Sequence, residues 1–257
     1  MRVLVTRPAG QASALTDALN QRGWRTDALP LLAIEPVAPL PGQDRQRVQD
    51  LDLYDHLIFV SANAARMGLE CIDEFWPQYP AGQRCWAVGA STAAVLQRAG
   101  LDVTWPEHEM NSEGLLALPG LATVDGQKVL IVRGEGGREL IAETLRQRGA
   151  TVESLCCYRR HPAEHDAAAL RADLARDLPA LILVSSGEGL ALLGGLLQPQ
   201  EHTNLARITL LVPSERVADQ ARTSGWQRVV RAENASDSAV LKAVDAWRDA
   251  NPGENGF

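Results

Sequence analysis

Short apolar runs and amphipathic stretches alternate along the whole chain, and the amphipathic stretches tend to close on a glycine. Compact Val, Leu and Ile runs read as strands buried on both faces of a parallel sheet, and i, i+3, i+4 spacing between them reads as helix. In the first half the pattern predicts strands near 2–6, 26–30, 56–60, 85–88 and 101–104. Helices are predicted near 10–22, 62–75 and 91–98, with Gly23 and Gly100 as stops. In the second half strands are predicted near 128–132, 152–157, 180–184, 208–212 and 227–230. The helices there fall near 137–148, 186–196, 214–223 and 237–249, with Gly149 and Gly225 as stops. The tail 251–257, with Pro252, Gly253 and Gly256, carries no such pattern and is expected to be disordered.

The halves repeat one another. Val3-Leu4-Val5-Thr6-Arg7-Pro8-Ala9-Gly10 returns 126 positions later as Val129-Leu130-Ile131-Val132-Arg133-Gly134-Glu135-Gly136. Leu19-Asn20-Gln21-Arg22-Gly23 returns as Leu145-Arg146-Gln147-Arg148-Gly149, and Val60-Ser61 as Val184-Ser185, the latter 124 apart. A near-constant offset over half the chain implies two copies of one α/β unit, an internal duplication and not a short-repeat solenoid. Two Pro-bearing segments, 35–41 and 158–162, interrupt the rhythm at the same point of each copy. Proline cannot donate to a sheet ladder, so both read as extended connectors lying side by side as a hinge. If each copy starts in one lobe and finishes in the other, residues 1–34 with 163–257 form a discontinuous α/β lobe. Residues 42–157 then form the second. Two contiguous lobes, 1–125 and 126–257, are the alternative.

Composition narrows the function classes. The 257 residues are 46% hydrophobic and carry a net charge of −7, and Lys128 and Lys242 are the only lysines. No basic stretch has the footprint of a nucleic-acid binder, so no nucleic acid is expected as a partner. An anionic ligand would be repelled by the overall field and needs local donors. No apolar run reaches the roughly 18 residues that span a bilayer, so no membrane is expected. Met1 leads directly into Val3-Leu4-Val5 without a signal-peptide pattern, and Cys71, Cys85, Cys156 and Cys157 show no C-x-x-C spacing. A cytoplasmic monomer with reduced thiols is the expectation.

In open parallel sheets ligands bind beyond the carboxyl ends of the strands. Those ends carry Thr6-Arg7-Pro8-Ala9-Gly10, Ser61-Ala62-Asn63, Gly89-Ala90-Ser91-Thr92, Arg133-Gly134-Glu135-Gly136-Gly137-Arg138, Ser185-Ser186-Gly187 and Pro213-Ser214-Glu215. Backbone N–H groups at helix starts can hold an anion without lysine. Helix capping alone is the plainer reading of any one loop. Known motifs fail. The third glycine of a dinucleotide fingerprint would fall at Glu139, and no lysine completes a phosphate loop. His161-Pro162-Ala163-Glu164-His165 has the order of a zinc motif, but Pro162 reads as a helix start, so the histidines would not share a helix. Gly89-Ala90-Ser91-Thr92-Ala93 outlines a nucleophile elbow without its last glycine or a histidine partner. The six tryptophans are scattered and read as packing. No metal and no cofactor is expected.

Taken in order, several segments resemble the uroporphyrinogen-III synthase family: Val3-Leu4-Val5-Thr6-Arg7-Pro8, Leu57-Ile58-Phe59-Val60-Ser61-Ala62-Asn63-Ala64, Ala87-Val88-Gly89, Val129-Leu130-Ile131-Val132-Arg133-Gly134, Cys157-Tyr158-Arg159 and Leu183-Val184-Ser185-Ser186. The match runs from residue 2 to about 247 and rests on the order and spacing of these segments together. The resemblance implies two interleaved flavodoxin-like parallel-sheet lobes joined by a two-stranded connector, with the active site in the cleft. It implies cyclisation of linear hydroxymethylbilane to uroporphyrinogen III, with inversion of the last pyrrole ring and loss of water, through a spirocyclic intermediate and without metal or cofactor. Tyr158, just after the strand leading out of the middle lobe, is then the candidate catalytic residue, donating to the departing hydroxyl or orienting it. Arg7, Ser61, Asn63, Gly89, Ser91, Arg133, Gly134, Gly136, Gly137, Ser185, Ser186 and Ser214 make up the candidate substrate-binding set. Where many members have two adjacent hydroxyl residues, this chain has Ser214-Glu215, which puts an acid beside an anionic ligand. The competing reading is a non-catalytic two-lobed binding module for a small anion. A nucleotide- or flavin-dependent enzyme is disfavoured by the failed glycine motif.

Overall fold

In the computed structural model, which describes residues 1–198, 202 and 204–252, the chain divides into two compact units. One comprises Met1–Ile34 and the chain from His161 onward; the other is Glu35–Arg160. The chain opens with β1 (Arg2–Val5), α1 (Ser13–Gln21), β2 (Arg25–Ala28) and β3 (Leu32–Pro36). There follow α2 (Gly42–Gln49), β4 (His56–Phe59), α3 (Ala62–Asp73), β5 (Arg84–Ala87), α4 (Ala90–Arg98), β6 (Val103–Thr104), α5 (Ser112–Leu116), β7 (Lys128–Gly134), α6 (Leu140–Gln147) and β8 (Thr151–Pro162). The remainder is α7 (Ala167–Arg176), β9 (Leu181–Leu183), α8 (Gly187–Leu197), β10 (Thr209–Val212), α9 (Glu215–Thr223), β11 (Arg228–Arg231) and α10 (Asp237–Ala250).

The first unit holds a sheet in the order β11-β10-β9-β1-β2, and the second a sheet in the order β3-β8-β7-β4-β5-β6. Every strand pair with a described register is parallel. The first sheet has the doubly wound order 2-1-3-4-5; the second, leaving β3 aside, runs 5-4-1-2-3 along the chain, which becomes the same order when counted from β7. Successive side chains of a strand point to opposite faces, and the core obeys this. Val3, Val5, Leu181, Leu183 and Leu211 pack with Leu15 and Leu19 of α1 and Val240, Val244 and Trp247 of α10. Leu4, Ile182, Leu210 and Val212 pack on the opposite face with α7, α8 and α9. In the second unit Ile58, Val129 and Ile131 meet Leu115 and Leu116 of α5 and Ile141 and Leu145 of α6. On its other face α3 lies so close that a Cβ on Gly68 would overlap Val132.

Gly23, Gly100, Gly149 and Gly225 end their helices in the left-handed conformation, with φ of 81°, 83°, 88° and 94°. Other boundaries differ from expectation for identifiable reasons. Helix α1 begins at Ser13 and not at 10, because Gly10 turns the chain at φ 79°. Helix α6 begins at Leu140 and not at 137, because Gly136 and Gly137 are left-handed at 72° and 98°. Pro162 is the last residue of β8 and not a helix start; α7 starts at Ala167, capped by the Asp166 carboxylate, which accepts from the N–H groups of Ala168 and Ala169 at 2.9 and 3.0 Å. Helices α2, α5 and α7 were absent from the sequence pattern. Most of the tail expectation, from Gly253 on, lies outside the described residues.

Candidate active site

The second unit opens a cleft of about 240 Å³ at the carboxyl ends of β4, β7 and β8. Strand β4 delivers Ser61, whose extended backbone starts α3 and whose Oγ accepts the Ala64 N–H at 3.0 Å. Strand β8 delivers Tyr158 through a bulge. Arg133 pairs with Cys156 but the next residue, Gly134, pairs with Tyr158, so Cys157 is the extra residue. A bulge re-aims the side chains beyond it. The Tyr158 ring lies over Gly134 so closely that any Cβ there would overlap it, which is why this strand end needs glycine. The Tyr158 hydroxyl is 3.1 Å from Ser61 Oγ, and both residues line the cleft.

Arg133, with a side chain 9% exposed, spends its guanidinium on the loop that follows it. It donates to Glu139 Oε1 at 2.7 Å and to the Gly136 carbonyl, tying the Gly134–Arg138 turn to the start of α6. A buried cation needs such partners. Gly136, Gly137, Arg138, Ser112 and Arg160 complete this wall. Neither Ser112 nor Arg160 was a candidate from sequence. Ser112 opens a five-residue helix too short for a periodic signal, and Arg160 lies in a segment read as connector.

The other candidates of this unit sit nearby in different roles. Gly89 is the N-cap of α4, and Met110 occupies the space a Cβ would face, 3.2 Å from it. Ser91 is exposed in the first turn of α4, and Asn63, in the first turn of α3, accepts from Arg66 at 3.2 Å. Burial pushes the Cys157 thiol up to about 12 and the Cys71 thiol up to about 11, so both stay protonated and are poor nucleophiles. Among the described residues no cluster of His, Cys, Asp or Glu could hold a metal ion, and no helix is long and apolar enough to cross a membrane.

In the first unit, Arg7 donates to Asp237 at the start of α10 and to the Ala235 carbonyl at 2.7 Å. Thr6, buried, donates to the Leu183 carbonyl at 2.8 Å and does not cap a helix. Ser186 and Ser214 cap α8 and α9, accepting from Gly189 and Val217 at 3.1 and 3.4 Å. Ser185, one residue earlier, lines a void of only about 10 Å³ with Arg7 and Pro213. Glu215 is paired with Arg222 at 3.1 Å and Arg231 at 3.4 Å, so the acid beside Ser214 has its charge compensated.

A family-wide sequence profile described as uroporphyrinogen-III synthase HemD matches residues 13–242. The uroporphyrinogen-III synthase of Escherichia coli is 38% identical over 253 residues, 95% of this chain and 100% of that protein. That of Salmonella typhimurium is 37% identical over 250 residues, again 95% and 100%. Among solved structures, a mutant uroporphyrinogen III synthase from Thermus thermophilus matches with a TM-score of 0.61 at 20% identity, covering 96% of this chain and 98% of its own. The Helicobacter pylori enzyme matches with 0.59 at 15%, covering 96% and 100%. The two structures speak to the shared α/β fold alone, whereas profile and curated relatives speak to descent over nearly the full length. On that footing the chain belongs to the uroporphyrinogen-III synthase family.

Proposed function

We infer that this chain is a lyase of tetrapyrrole biosynthesis that closes hydroxymethylbilane to uroporphyrinogen III. The observation that carries the reading to a site is the Tyr158 hydroxyl held 3.1 Å from Ser61 in the wall of an open cleft. Tyr158 donates its proton to the substrate's hydroxymethyl oxygen; the C–O bond breaks with its electron pair on oxygen, and water leaves. The terminal ring then attacks through its substituted carbon to give a spirocycle. The older bond from that carbon to its bridging methylene breaks, the methylene rejoins at the ring's free α-carbon, and the proton that this carbon loses as aromaticity returns goes back to the phenolate. Most of the barrier is met by holding the chain in the attacking geometry. The polycarboxylate substrate meets an acidic protein, so its carboxylates are taken by backbone N–H groups of the 134–138 turn and of the α3 and α4 starts. In the first unit the Ser185-Ser186 and Ser214 helix starts offer backbone N–H groups of the same kind. Arg7 and Arg133 serve binding by holding their loops. Asn63, Gly89 and Ser91 shape the α3 and α4 starts.

The reaction as proposed draws on no metal or cofactor and runs in a cytoplasmic monomer. The two sheets of like order, with the 126-residue offset, support an internal duplication in which 1–34 with 163–257 and 42–157 are lobes and 35–41 and 158–162 connectors. The competing reading, a passive anion-binding module, has no use for a tyrosine hydroxyl poised over a glycine. The test is to supply freshly made hydroxymethylbilane and separate products. Type III product is expected, and type I alone, as in the absence of protein, would overturn the reading.

A further inference from the structure

We propose that Ser61 is a positioning residue that aims the Tyr158 proton into the cleft; this rests on the role given to Tyr158 above. Ser61 Oγ already accepts the Ala64 N–H at 3.0 Å, so its lone pair facing α3 is occupied. The two hydroxyls lie 3.1 Å apart, and in the proposed arrangement Ser61 donates its hydrogen to the Tyr158 oxygen. Tyr158 is held in place, because it is almost fully buried and its ring packs closely against Gly134. With its oxygen accepting from Ser61, the Tyr158 hydrogen must point elsewhere, and the open direction is the cleft. The donor chain begins at the amino end of α3, a 12-residue helix whose partial positive charge polarises each bond in turn. As Tyr158 gives up its proton, the growing negative charge meets a donor already in place, which is how fixed dipoles assist a proton transfer. Ser61 thereby does two jobs with one oxygen: it starts α3 and orients the acid.

The two jobs separate by substitution. Ser61→Ala removes both, whereas Ser61→Gly removes the hydroxyl while costing the helix start only a few tenths of a kcal/mol. Both variants are expected to lower kcat for hydroxymethylbilane roughly tenfold, with KM within about twofold. Ser61→Thr, which keeps the hydroxyl, should restore most of kcat. Added to Tyr158→Phe, Ser61→Gly should cost nothing further, because residues acting as a unit are not additive. Wild-type kcat in Ser61→Gly, or a full tenfold loss on the Tyr158→Phe background, would overturn the positioning role while leaving Tyr158 intact. Failure of the parent reading would look different: Tyr158→Phe itself would turn over like wild type.

Discussion

Two arginines, Arg7 and Arg133, stand 126 residues apart at the ends of corresponding strands and face the same physical problem. Each is a mostly buried cation beside the start of a helix, and each is matched by an acid there, Asp237 or Glu139. The surroundings then diverge. The Arg7 end is nearly filled, leaving about 10 Å³, while the Arg133 end keeps about 240 Å³ open. Glycine makes the difference. Gly134 admits a tyrosine ring that no other residue would tolerate, and Gly136 and Gly137 carry the turn back over left-handed φ values of 72° and 98°. The position 126 before Tyr158 is Leu32, so the first unit offers no hydroxyl at that point. One architecture thus has one strand end nearly filled and one that keeps an open cleft.

The sharpest way to break this contrast is Tyr158→Phe. Removing a positioned acid costs on the order of 10²–10⁴ in rate, and a reaction carried mostly by orientation should sit at the lower end, about 10². Product should remain type III, because the shape of the cleft and not one hydroxyl directs ring inversion. Melting temperature should barely move, since ring and packing are kept. Turnover equal to wild type would return Tyr158 to a packing role and leave both strand ends functionally alike.

That tyrosine was legible in the sequence only by resemblance, and the reason is physical. What gives Tyr158 its position is a bulge at Cys157 and a glycine on the neighbouring strand, both properties of a pairing between residues 24 apart. Local pattern reports burial, and it served well where burial decides: Leu57, Ile58 and Phe59 are fully buried in β4, and the four helix-ending glycines are left-handed. It missed α2, Gly42–Gln49, because GQDRQRVQ buries just Asp44 and Val48 and has no apolar stripe. The segment 158–162, read as an extended connector, runs on as the end of β8, where proline is tolerated. The serine-rich loops were visible as a set. Local pattern does not separate them: Ser61 caps α3 and borders the open cleft, whereas Ser185 borders a void of only about 10 Å³.

A middle-sized test compares the arginines directly. Arg133→Met should free the 134–138 turn, raising KM several-fold while lowering stability by about 1 kcal/mol, since Glu139 is half exposed and can be resolvated. Arg7→Met should cost a similar amount of stability, because Asp237 keeps the favourable field of the α10 amino end. Its KM should rise less than that of Arg133→Met, as no open cleft adjoins it. Steady-state kinetics and denaturant melts on both variants check this. A larger KM change for Arg7→Met would shift the weight of binding to the first unit.

The smallest effect expected concerns alkaline pH and again separates the units, because all four cysteines lie within 35–160. Burial holds the Cys157 thiol protonated, pushing it from an ordinary 9.0 up to about 12. A folded-state pKa above the unfolded one means that unfolding releases a proton wherever the pH lies between the two. The stability contributed by keeping this thiol neutral is therefore complete below about pH 9 and is lost progressively from there to about 12. Cys71 adds a smaller decline in the same direction, toward about 11. Tyr54 and Tyr79, also raised by burial, contribute only once the ordinary tyrosine value of 10.0 is passed. Between pH 8 and pH 10 the denaturant midpoint should fall, and Cys157→Ala should flatten part of that fall whatever it does to absolute stability. An unchanged slope in Cys157→Ala would mean that the bulge leaves this thiol in contact with water, and the packing of Tyr158 beside it would need to be redrawn.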